Sequence, residues 1–354
     1  MAEVMGMRVI ALGTAGGPRF WRTTERSGIA TAIVVDDGFY LVDCGQGVGR
    51  QVVRAGLDLG QLKGIFITHL HSDHTVDLNG VMLFSLASLQ HRRGHPVPII
   101  GPGDRGMLPP VSPRAETVPE PFHPAQPTPG TAAMVQKLME AHATDINDRV
   151  LDALRPSPLE IFRAQDIELP AGVGFHPNEN PAPEMEPFEV LRDEAVVVKA
   201  VLVRHPPLAP AFAFRFDVRA DSVDDAGSGA NESADGGAVV ISGDTAYTDN
   251  LVRLADGAGL LLHEALDFAF MERQYRERPD ATSRASLEHH HKSHSSVADA
   301  IRVAEQARVP RLALHHLVPG TVDRQHWLDA GTGFAGELLV PDDLDELECG
   351  RSAD

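Results

Sequence analysis

The stretch FITHLHSDHT, residues 66–75, places His69, His71, Asp73 and His74 within six positions, directly after an apolar run. His69 and His71 are two apart, and Asp73 and His74 are adjacent. Side chains leaving the end of a strand into a tight turn can converge on a small volume. Neutral imidazole and carboxylate are ligands that Zn²⁺ takes, at about 2.0–2.2 Å. No cysteine stands in the stretch, which argues against a closed structural zinc site. The pattern points to a metal centre with an open position, where chemistry can occur.

Outward from this stretch, the first hundred residues read as strands and turns. MRVIALGT (7–14) is apolar and ends at glycines, and TAIVVDDGFYLVDCG (31–45) holds two strand-like runs around Asp37-Gly38, a good hairpin turn. VGRQVVRAGL (48–57) has the character of a helix, LKGIFITH (62–69) of a short buried strand, and VDLNGVMLFSLASLQ (76–90) again of a helix. From Gly101 to Pro187 prolines are dense, and PPVSPRAETVPEPFHPAQPTPG (109–130) suits neither a helix nor a central strand. Within that region, Met134, Leu138, Ile146, Val150, Leu151 and Leu154 recur at roughly helical spacing. Residues 102–188 therefore read as an inserted, Pro-rich and partly helical cap on a single domain of residues 1–348, with 349–354 as a tail.

The later half repeats one theme: apolar runs that end in chemically capable residues. They deliver His205 in VRHPP, Asp244 in AVVISGDT, Glu264 in AGLLLHEA, and His315 and His316 in VPRLALHHLVP. Functional loops sit at such strand ends. DSVDDAGSGANESADGG (221–237) is acidic, small and polar, the composition of a mobile loop. The His-rich EHHHKSH (288–294) reads as an exposed loop. CGQGVG (44–49) has glycines after a strand but lacks the third glycine of a dinucleotide fingerprint. Close backbone packing explains it better. Arg19, Phe20, Trp21 and Arg22 form a loop near the site mouth, read either as an anion clamp or as a solvated loop.

THLHSDH (68–74) resembles the HxHxDH signature of the metallo-β-lactamase superfamily. VRHPPLAPAFAFRF, VVISGDT and LALHHLVP are similar to its later ligand motifs, in the same order. LLLHEA, SHSSVADAIRVAEQARVPRLAL, LGTAGGP and LVDCGQG resemble the branch that holds ribonuclease Z and the zinc arylsulfatases. The resemblance implies an α/β fold, an αβ/βα four-layer sandwich with metals at one edge. It implies two Zn²⁺ per chain, one held by His69, His71 and His205, the other by Asp73, His74 and His316. Asp244 would bridge them, and His315 is the alternative to His316. It further implies a water between the ions that ionises near neutral pH, Asp73 as its orienting base, and His294 with Glu264 as a leaving-group acid pair. His71 stands where the di-iron redox members carry Glu, so the resemblance favours hydrolysis.

Substrate class is read from charge. Lys and Arg number 31 against 50 Asp and Glu, a formal net charge of −19. Such a surface repels phosphate backbones, and no Lys/Arg run forecasts a basic groove. Ribonuclease Z is expected to carry a long Lys-rich arm between the third and fourth ligand motifs, where this chain has a short acidic stretch. HLVPG (316–320) also looks more like the arylsulfatase-type proteins. The leading expectation is therefore a binuclear zinc hydrolase of a small-molecule sulfate, phosphate or carboxylic ester, with nucleic acid disfavoured as a partner. A tRNA 3′-end endonuclease comes second, and a non-catalytic metal-bound ligand-binding module third. Two cysteines far apart, no signal-peptide core and no membrane-length apolar run suit the cytoplasm. The resemblance implies a homodimer.

Overall fold

A computed structural model describes residues 7–219, 237–277 and 280–349. The strands are β1 (Arg8–Gly13), β2 (Ala30–Val35), β3 (Gly38–Val42), β4 (Leu62–Phe66), β5 (Val97–Pro102), β6 (Phe162–Ile167), β7 (Phe188–Arg192), β8 (Val196–Leu202), β9 (Phe212–Val218), β10 (Ala238–Ile241), β11 (Leu260–Leu266), β12 (Arg311–Val318), β13 (Glu337–Leu339) and β14 (Glu346–Glu348). They form two seven-stranded sheets, β14-β1-β2-β3-β4-β5-β6 and β13-β12-β11-β10-β9-β8-β7. Each sheet is antiparallel on one side and parallel on the other.

Alternation along single strands explains why helices cover the outer face. On β2, Ile33 and Val35 join the core between the sheets, while Ala30, Ala32 and Val34 join a second core. That second core also takes Val48 and Val52 of the helix Val48–Arg54 and Leu78, Val81 and Met82 of the helix Leu78–Phe84. Buried on both faces, the strands read as near-continuous apolar runs. The inter-sheet core holds Tyr40, Phe66, Phe214 and Phe216, with Phe66 edge-on to Phe216 at 5.1 Å. The fold is the four-layer αβ/βα sandwich expected from the sequence.

Residues 102–188 supply the helices Thr131–Ala141, Ala143–Leu151 and Pro158–Ile161, and also β6. That strand extends the first sheet, pairing parallel to β5 from Val97↔Phe162 to Pro102↔Ile167, and was not foreseen. The 221–237 stretch lies outside the described residues except for Gly237, and the 349–354 tail does so except for Cys349. No helix among the described residues is long and apolar enough to cross a membrane.

Candidate metal centre

Both sheets end their functional strands at the same edge. β4 runs into Ile67-Thr68 and then the turn with His69 and His71, and Asp73 and His74 lie in the short helix Ser72–Thr75. Phe212 N donates to Thr68 O at 2.9 Å, which ties this turn to the second sheet. Gly45 lets three backbone segments meet. A Cβ there would lie 2.6 Å from the carbonyl oxygens of Asp73 and Ile29, so close packing is the reason for a glycine.

His205, Asp244 and His316 arrive after β8, after β10 and within β12. His316 is the extra residue of a register shift, since Glu264 faces His315 while Ala265 faces Leu317. Its φ is +46°, a left-handed conformation costing a non-glycine residue about 1–2 kcal/mol. The bulge turns its ring into the site and leaves His315 buried outside it. His316, where the resemblance places the ligand, lies at the cluster, and its alternative His315 does not. Gly16 completes the cradle, because a Cβ there would stand 2.4 Å from His316 Nδ1.

The side chains form two adjoining clusters. In the first, His71 Nδ1 lies 3.0 Å from His69 Nε2 and 3.1 Å from His205 Nε2, and His69 Nε2 lies 3.8 Å from Asp244 Oδ2. In the second, His316 Nε2 lies 3.3 Å from both Asp73 Oδ2 and Asp244 Oδ1, and His74 Nε2 lies 3.6 and 3.4 Å from the same two oxygens. Asp244 thus turns one oxygen to each cluster. Donors around a tetrahedral zinc, with bonds of about 2.0–2.1 Å, are about 3.3 Å apart. Both clusters match that spacing. Asp73 Oδ1, His74 Nε2 and Asp244 Oδ1 are buried without a hydrogen-bond partner among the described residues, as expected of atoms meant for a cation.

Proton energetics differ between the two. Burial holds His69 well below the ordinary histidine range, reinforced by the neighbouring His74 charge, and holds His205 at about 3. Burial also pulls on His74, but the carboxylates of Asp244, Asp43 and Asp73 outweigh it and keep the ring charged well above that range. Asp73 is drawn down to about 2; its burial is outweighed by His74 and His316. The carboxylates of the second cluster therefore favour a positive charge at this position.

Outer contacts fix the rings. Asp43 accepts from His74 Nδ1 at 2.7 Å and from Thr68 N and Oγ1 at 2.8 Å each. His205 Nδ1 donates to Ser293 O at 2.9 Å. Carboxylate and carbonyl partners of this kind set the tautomer of a ligating histidine. Asp43 went unrecognised in sequence, although it ends a strand as the other acids do. His294 Nδ1 meets Glu264 Oε2 at 2.7 Å, and Glu264 Oε1 accepts from Thr245 N at 2.5 Å. Burial first, then the Asp244 charge, raises Glu264 well above the ordinary carboxylate range.

A cavity of about 590 Å³ lies over the clusters, with His71, Asp73, Asp244, His294 and His316 on its floor. Its far wall is the helix Ala281–Ser293, which brings His289 and His290 inward. The His-rich tract is thus a helix with one face in the cavity, not an exposed loop. A second cleft of about 560 Å³ shares Gly17, Arg19, Trp21 and Asp73 with the first and runs along Arg26, Arg50 and Arg54.

A family model described as the metallo-β-lactamase superfamily matches residues 23–136. With the signature turn and the sandwich fold, the match supports a metal-dependent hydrolase of that superfamily. The chain is 28% identical over 332 residues to a protein named Ribonuclease Z from Mycobacterium bovis, covering 92% of each chain. A Ribonuclease Z from a Mycobacterium species (strain KMS) is 29% identical over 330 residues, 92% of this chain and 90% of that one. Solved structures share the fold. The short form of human tRNase Z has a TM-score of 0.58 at 20% identity, covering 97% of this chain and 99% of the other. The metallo-β-lactamase fold protein YhfI from Bacillus subtilis has a TM-score of 0.55 at 17% identity, with the same coverage.

These relatives overturn two expectations. A small-molecule ester of the arylsulfatase type does not stand as the substrate, and nucleic acid is no longer the disfavoured partner. Net charge misled because it averages over the whole surface. The arginines beside the metal clusters come from three segments, 19, 26 and 50–54, so no run of cations marks them in sequence. The acidic stretch that argued against an RNA arm lies almost wholly outside the described residues.

Proposed function

We propose that this protein is a metal-dependent endoribonuclease that cuts precursor tRNA at its 3′ end. The observation that carries the reading is likeness to proteins named Ribonuclease Z along 92% of the chain, joined to two clusters that share Asp244. We assign His69, His71, His205 and Asp244 to one Zn²⁺ and Asp73, His74, His316 and Asp244 to a second. A zinc pair held there would ionise water near neutral pH and offset the negative charge of a phosphodiester. Asp73 accepts a hydrogen bond from Gly17 N at 3.0 Å, which fixes its carboxylate beside the cavity, where it orients the attacking water. His294 Nδ1 and Glu264 Oε2 share one proton across 2.7 Å, which orients the ring at the cavity; its other nitrogen would protonate the leaving ribose oxygen while the shared proton passes from Glu264 onto Nδ1. The same reading includes a cytoplasmic homodimer, and one domain of residues 1–348 bearing 102–188 as an inserted segment.

The test is direct. Zinc-loaded protein is given a precursor tRNA with a 3′ trailer, and in parallel p-nitrophenyl sulfate, phosphate and acetate. One cut at the 3′ side of the tRNA part, with the small esters turned over weakly or not at all, supports the reading. Intact RNA beside rapid hydrolysis of a small ester contradicts it.

A further inference from the structure

The cleft that leaves the metal clusters beside Asp73 is a local exception on a chain of net charge −19. Arg19 lies on its loop side and Arg50 and Arg54 on the helix Val48–Arg54, with Arg26 between. Arg26 is already paired, to Asp342 at 2.6 Å. Arg54 bonds only the neutral Gln51, at 2.8 Å, and Arg50 has no hydrogen-bond or ionic partner among the described residues. Arg19 rests over the Trp21 ring at 4.7 Å. Glu25 is the one carboxylate on the lining besides Asp73. Arg50 and Arg54 are one helical turn apart and share a face, about 5–6 Å between Cβ atoms. The cations therefore come from a loop and a helix that line one cleft opening beside Asp73. Phe20, 82% exposed, and Val76, 51% exposed, lie along the same cleft. A cleft lined by several cations and an exposed aromatic ring matches a single-stranded nucleic acid, whose phosphates pair with cations along a groove and whose bases stack.

We propose that this cleft guides a single-stranded stretch of RNA to the metal centre, with its phosphates on Arg19, Arg50 and Arg54 and a base on Phe20. The inference rests on the ribonuclease reading and adds the path of the strand.

The test is the steady-state KM for precursor tRNA with a 3′ trailer across a range of salt, using the zinc-loaded protein. Arg50→Ala with Arg54→Ala raises KM about tenfold and makes the log–log salt dependence shallower by about 1.4, the share of two phosphates on a single strand. Arg50→Lys with Arg54→Lys keeps the wild-type slope. Phe20→Ala raises KM several-fold and leaves the slope unchanged. Elemental analysis showing unchanged zinc content certifies that the variants are folded. A double alanine variant with wild-type KM and slope overturns the proposed path while leaving the ribonuclease reading intact. Failure of the wild type to cut RNA at any salt overturns the ribonuclease reading itself.

Discussion

The two sheets reach the metal clusters by different routes. The first contributes His69, His71, Asp73 and His74 from one turn of six residues. The second contributes His205, Asp244 and His316 from separate strand ends, more than a hundred residues apart in all, one of them at a left-handed bulge. Each cluster nevertheless mixes both sources. His69 and His71 need His205, Asp73 and His74 need His316, and Asp244 serves both. Neither sheet completes a cluster alone, so metal binding should report how the two sheets sit against each other. Bound metal is also folding free energy, because the scattered donors converge only in the folded chain.

That contrast breaks most sharply at Asp244. Asp244→Ala should empty both clusters and cost more than the 10²–10³-fold seen when a single electrostatic donor is lost. Elemental analysis and RNA cleavage together check this, and a variant with two zincs retained would separate the sheets' contributions and defeat the bridging role. His294 comes from the second half but is assigned no metal. His294→Ala should keep both zincs and slow turnover by about 10²-fold, with the rate most affected for poor leaving groups. Equal slowing across leaving groups would leave the residue only a structural part.

Support from the first half is tested at Asp43. Asp43→Asn should weaken the second cluster about 10–100-fold in metal affinity and leave the first nearly unchanged, as read by competition with a chromogenic chelator. The smallest effect separates the clusters by proton competition. His74 is raised above the ordinary histidine range by three carboxylates, whereas His69 and His205 are lowered by burial. A ligand must be unprotonated to bind, so below the raised value one proton competes with the second metal. Its affinity should fall about tenfold per pH unit as pH drops through and below neutrality, while the first holds. Parallel loss of both metals in calorimetric titrations at several pH values would remove this distinction.

Legibility followed the same division. The turn residues stood out because four side chains of metal-ligating type share six positions. His205 and Asp244 stood out because each closes an apolar run. The choice between His315 and His316 depended on a bulge, which no local pattern announces. Asp43 escaped because an acid after a strand is common and its partner His74 lies 31 residues on. The inward face of His289 and His290 escaped because a run of histidines has no helical period of its own. The substrate was misread because the cations beside the site are assembled from distant segments, and whole-chain charge hides them.

The central claim is that the two sheets meet around a pair of metal ions joined by Asp244. Anomalous diffraction at the zinc edge, from crystals grown with zinc, tests it most directly. The account predicts two peaks, one beside each oxygen of the Asp244 carboxylate, with His69, His71 and His205 around one and Asp73, His74 and His316 around the other. A single peak, or zinc bound elsewhere with these side chains unengaged, would contradict it.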